Sequence, residues 1–139
     1  GGFVAGLDAG MGYNTWPLMG DTWIAPGMLT FEPLWLNALE NPVMVQFIHR
    51  CLALTTLAVV AGLWWSQRRT QLERTQRLAL HGLGVMALLQ VSLGIATLLL
   101  AVPVALGAAH QGGAMIVFGV LLWLNHELRV APATAGASR

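Results

Sequence analysis

Long apolar runs alternate with polar connections along this chain. Val43 to Trp65, Leu78 to Val102 and Val104 to Leu124 are each near the roughly 20 residues that cross a hydrocarbon core of about 30 Å. The pattern predicts helices over 43–65, 78–102 and 104–127. A fourth element is implied by "GGFVAGLDAG", which opens without Met, without a basic stretch and without a cleavage-site pattern. Residues 1–8 read as the end of a truncated helix, and the chain is therefore expected to be a fragment or processed piece of something longer. Residues 9–41 form an outer loop, and the small, polar residues 131–139 a disordered tail. Backbone groups in lipid must be satisfied within helices or closed barrels, and runs this long exclude barrel strands. The expected fold is all-α: a polytopic transmembrane four-helix bundle with its first helix truncated.

Charge placement orients the helices. "SQRRTQLERTQR" carries Arg68, Arg69, Arg74 and Arg77, whereas the connection from Ala9 to Asn41 has no basic residue and holds Asp21, Glu32 and Glu40. By the positive-inside rule the arginine loop faces the cytoplasm, or the matrix in a mitochondrion, and the long loop faces outward. Trp16, Trp23 and Trp35 make that loop either a set of interfacial anchors or a lid, and the sequence leaves both open.

Composition agrees with a membrane protein: 56% of residues are hydrophobic and 9% charged, against about 25% charged in soluble domains. A net charge of +1 argues against a nucleic-acid partner. The single cysteine, Cys51, sits in an apolar run and reads as a buried, inert thiol. Gly82, Gly84, Gly94, Ala96, Gly112 and Gly113 would let helices, or a flat ligand, approach closely.

The histidines fall into two layers. His49 lies seven residues past Pro42 and His110 seven past Pro103, so both sit about 10 Å below the outer ends of their helices. His81 and His126 lie near the inner ends, on the order of 20 Å away along the helix direction. Ionisable groups at membrane depth are costly and usually functional. Two imidazoles facing each other at one depth suit the axial positions of a haem iron, with the macrocycle in a slot between helices. A zinc site would need a third or fourth ligand at that depth, and none is evident. His49 and His110 are therefore the candidate metal ligands. Arg50, turned about 100° from His49, either reaches a haem propionate or snorkels to the headgroups. Gln46 shares the face of His49 and would bond either the second nitrogen of that ligand or another helix.

Four stretches in this order, "GLDAGMGYNTWPLMGDTWIAP", "NPVMVQFIHR", "LQVSLGIATLLLAVPVALGAAHQGGA" and "LNHELR", closely resemble the carboxy-terminal half of the haem A synthase family, over nearly all of Gly1 to Val130. The resemblance implies half of an eight-helix inner-membrane protein, bacterial or mitochondrial, that oxidises the C8 methyl of haem O to the formyl of haem A for cytochrome oxidase biogenesis. It implies a haem b in this half, bound through His49 and His110, that relays electrons while the other half acts on haem O. Gln46 stands where the family's amino-terminal half carries a glutamate, which fits the relay half. The outer loop lacks the cysteine pair of some bacterial relatives, so the chain resembles the proteobacterial and mitochondrial branch.

On this reading residues 1–130 form one transmembrane haem-binding unit, without the catalytic carboxylate and the substrate pocket of the amino-terminal half. The glycines Gly112 and Gly113 make room for the macrocycle. Expected partners are haem O, haem A, the lipid bilayer, the missing amino-terminal half, and haem O synthase or a second copy of the chain. Two other classes stay open: a b-type electron-transfer cytochrome, in which His81 and His126 hold a second haem, and a cofactor-free assembly scaffold.

Overall fold

The structure, a computed structural model, describes residues 1–130. The expected disordered tail lies outside the described residues. The described residues are mostly helical and contain no β-strand. They form a short α1 (Gly2–Gly6), a one-turn α2 (Asn37–Glu40), and three long helices, α3 (Pro42–Ser66), α4 (Arg74–Leu99) and α5 (Val104–Val130). The three long helices have the length and apolarity to cross a membrane. The protein is an integral membrane helical bundle.

The ends of α4 differ from the apolar run for physical reasons. It starts at Arg74, before the hydrophobic stretch, because Glu73 and Gln76 form a reciprocal capping box, in which the Glu73 N–H donates to Gln76 Oε1 at 3.1 Å. It stops at Leu99 because Ala101 and Val102 both take left-handed conformations, φ 57° each, ahead of Pro103. That reversal sends α5 back antiparallel along α4. Gln76 Nε2 then donates to the Glu127 carbonyl at 3.1 Å, joining the inner ends of the two helices.

α4 is the central element and packs against both α3 and α5. The inner half of the bundle is held by Val60, Ala79, Leu80, Leu83, Ala87 and Leu124. A second cluster lies at the outer end, where Met19, Ala25 and Met28 of the loop are buried against Val43, Met44 and Phe47 of α3. The outer loop is thus a folded cap rather than a loose connection. Two buried asparagines organise it. Asn37 accepts from the Phe31 N–H and donates to the Phe31 and Leu34 carbonyls. Asn41 caps α3 by accepting from the N–H groups of Val43 and Met44, while its amide donates to Gly27 O, Thr30 Oγ1 and Asn37 Oδ1. Asn14 Nδ2 donates to the Leu98 carbonyl at 2.9 Å and ties the loop to the outer end of α4.

Cys51 is exposed on α3 rather than buried as expected. One step of about 100° separates it from buried Arg50, and that step carries it off the packed face. Trp23 and Trp35 are exposed, as interfacial anchors would be, whereas Trp16 is half-buried.

Candidate functional site

Between the two packed clusters the bundle holds a layer of polar side chains. α3 contributes Gln46, His49 and Arg50, α4 contributes Gln90, and α5 contributes His110. The rings of His49 and His110 meet with their centroids 6.3 Å apart and their planes at 83°. Both rings are half-buried. Among the described residues no group of three His, Cys, Asp or Glu side chains is placed to hold a metal ion. The donor set at this depth is therefore a pair of imidazoles on opposite helices, joined across the outer half of α4.

Two imidazoles bonded to opposite faces of a single metal, each with a metal–nitrogen distance of about 2 Å, hold their centroids roughly 6 Å apart. The observed separation matches. The residues present are compatible with an iron porphyrin held between His49 and His110.

Arg50 lies next to the pair, buried, and does not snorkel. Its Nη1 donates to the carbonyls of Pro17 and Leu18, its Nη2 donates to that of Tyr13, and its guanidinium sits 5.8 Å from the centroid of the Trp16 ring. The buried Nε has no partner. Gln46 Nε2 donates to the Tyr13 carbonyl at 3.1 Å, and its buried Oε1 is also unpartnered. Neither partner expected for Gln46, the ligand nitrogen or a second helix, is the one it takes. It binds the loop.

Sequence reasoning missed Gln90. Its Nε2 lies 2.6 Å from the His110 carbonyl and 3.1 Å from His110 Nδ1. An amide in the middle of the apolar run "MALLQVSLGIATLLL" was the available signal. The glycines near it have different roles from one another. A Cβ on Gly94 would stand 2.7 Å from His110 Cε1, so the imidazole lies directly on the α4 backbone. A Cβ on Gly113 would collide with Gln90 Oε1, so this glycine makes room for the glutamine amide.

The model of the family described as cytochrome oxidase assembly protein, COX15-CtaA, matches residues 1–122. The chain belongs to this family. It is 48% identical to bovine heme A synthase COX15 over 132 residues, covering 95% of this chain and 32% of the relative. It is 50% identical to the heme A synthase of Rhodospirillum centenum over 129 residues, covering 93% of this chain and 34% of that protein. Similarity extends to the Arabidopsis thaliana heme A synthase COX15, at 45% identity over 129 residues. The chain spans about one third of the length of these relatives. No solved structure matches it.

The inner histidines form no comparable site. His81 is exposed, with Nδ1 2.7 Å from the Arg77 carbonyl of its own helix and its ring 6.1 Å from that of Trp64. His126 is exposed on α5.

Proposed function

We propose that this chain is the haem-holding, carboxy-terminal part of a haem A synthase in a bacterial cytoplasmic or mitochondrial inner membrane. The observation that carries the reading is the ring-to-ring placement of His49 and His110 at a separation suited to one iron. A haem b held there would supply one-electron transfer during conversion of the C8 methyl of haem O to the formyl of haem A. The chain's own residues bind and orient. His49 from α3 and His110 from α5 would hold the iron. The unpartnered Nε of Arg50 is the donor available to a propionate at the outer rim, and it supports that assignment. The loop from Tyr13 to Met19, fastened by Arg50 and Gln46, covers the outer side and keeps water from the pair. Residues 1–130 act as one unit in this reading, and the carboxylate that works on haem O lies elsewhere.

The test is the absorption spectrum of the detergent-purified full protein, oxidised and dithionite-reduced, with His49→Ala and His110→Ala in parallel. A low-spin b-type spectrum, lost or turned high-spin in either variant, is expected. A spectrum unchanged by both substitutions overturns the ligand assignment. Conversion of haem O to haem A by residues 1–139 alone overturns the division of labour.

A further inference from the structure

The outer cap packs against the flank of α3 rather than over its end. Met19, Ala25 and Met28 are buried against Val43, Met44 and Phe47, which occupy the first two turns of that helix. At 1.5 Å per residue, Phe47 lies about 8 Å below Pro42, the outer end of the span. Arg50, almost one turn deeper, binds the carbonyls of Tyr13, Pro17 and Leu18. Residues 34–36 run through α2 into Pro42, which keeps Leu34 and Trp35 close to the same end of the helix.

The depth of the cap is therefore fixed by α3. It lies beside the first turns of a membrane span, where the surroundings are headgroups and the upper parts of acyl chains. The side chains that the cap leaves uncovered there are large and apolar. Trp23 and Ile24 are each 71% exposed, Trp35 64%, Leu29 63% and Leu34 58%. Apolar side chains displayed in this number mark a contact surface, and at this depth lipid is the medium already present around α3.

We propose that Trp23, Ile24, Leu29, Leu34 and Trp35 insert into the outer leaflet of the membrane that α3, α4 and α5 cross. The residue types match that medium. Tryptophan favours the membrane–water boundary, where its ring is apolar and its N–H stays wet. No lysine or arginine lies between Ala9 and Asn41, so attachment comes from burial of apolar area and not from attraction to anionic lipid. The exposed carboxylates of Asp21, Glu32 and Glu40 stay on the aqueous side. Anchoring and covering then belong to one folded element. Its Tyr13, Pro17 and Leu18 carbonyls fasten it over the polar layer, and its tryptophans rest in lipid. The proposal does not depend on His49 and His110 holding a haem.

The experiment places one nitroxide label at a time in the full protein, with its native cysteines replaced by serine, through Trp23→Cys, Ile24→Cys, Leu29→Cys and Trp35→Cys. The labelled proteins are held in phosphatidylcholine nanodiscs, and power-saturation electron paramagnetic resonance reads collisions with oxygen, which concentrates in lipid, and with a water-soluble nickel chelate. A ratio of oxygen to chelate access above one is expected at all four positions, with depths between the phosphates and the upper acyl chains. A ratio below one would put this face in water and overturn the proposal. Low access to both reagents would put it against another part of the protein or a second copy, and overturns the proposal equally. Because all four side chains are exposed, the labels displace no packed core, and thermal unfolding near that of the cysteine-free protein verifies that the cap is intact.

Discussion

Gln46 and Arg50 donate to the same acceptor, the carbonyl of Tyr13, at 3.1 and 3.0 Å. They stand one turn apart on α3 and flank His49, so the outer loop is fastened at the depth of the histidine pair. Arg50 reaches the Pro17 and Leu18 carbonyls as well, which makes it the stronger tie. Arg50→Ala removes these charged-donor hydrogen bonds and is expected to destabilise the loop by on the order of 2 kcal/mol or more. Amide hydrogen exchange across residues 13–19 is expected to quicken while exchange in the inner halves of α3 and α4 stays as it was. Unchanged exchange in 13–19 would show that the loop holds without Arg50. Arg50→Lys is expected to rescue little, because an ammonium lacks the planar fork that reaches three carbonyls at once.

The glycines near the site give a paired prediction. Gly94→Ala places a Cβ 2.7 Å from His110 Cε1 and 3.3 Å from both ring nitrogens, so the imidazole has to move. Overpacking of this kind costs about 1–3 kcal/mol, and the low-spin spectrum is expected to weaken. Gly112→Leu meets nothing within 4 Å at its Cβ. It stands about 200° round α5 from His110, so both the thermal stability and the haem content are expected to stay unchanged. Haem content lost in Gly112→Leu would place the macrocycle on the opposite face of α5 from His110.

These cases mark what could be read from the sequence. The spans were legible because lipid demands long apolar runs and tolerates few exceptions. The pairing of His49 with His110 was legible because the rise of a helix converts residue number into depth, and both count seven from a proline at the outer boundary. The partner of Arg50 was not. A long side chain near a helix end reaches lipid headgroups, a ligand or a loop with equal ease, and helical angle alone does not choose among them. Gln90 escaped notice because its contact with His110 depends on the rotation of α4 against α5, which Gly94 and Gly113 set through backbone contact. The folded outer cap was hidden for a similar reason: Asn37 and Asn41 look like ordinary loop residues until their buried amides are paired.

The inner core offers a test of how lipid alters packing energetics. Leu83 is 1% exposed between α3, α4 and α5. Leu83→Ala is expected to lower stability by less than the ~2–5 kcal/mol that this truncation costs in a water-soluble core. Separated helices in lipid still solvate a leucine with hydrocarbon, so only packing contacts are lost. Reversible unfolding in mixed detergent measures the difference, and the haem spectrum is expected to stay unchanged because the pair lies in a different layer. A loss at the top of the soluble range would mean that Leu83 supports more than its own contacts.

Asn41 joins the cap to the start of α3, and two functions of its side chain separate by substitution. Its Oδ1 accepts from the Val43 and Met44 N–H groups at 3.0 and 3.4 Å, which caps the helix, while its amide donates at 2.7 Å to the Gly27 carbonyl and at 2.9 Å to Asn37 Oδ1. Asn41→Ser keeps a capping acceptor and loses the bonds to the loop. Asn41→Ala loses both, with about 1 kcal/mol for the cap and a further ~1–3 kcal/mol for buried loop acceptors left unpaired. Thermal unfolding is expected to rank wild type above the serine variant and serine above alanine. Equal melting of serine and alanine variants would mean that the loop bonds carry the whole effect and that Pro42, preset for a helical first turn, starts α3 without a cap.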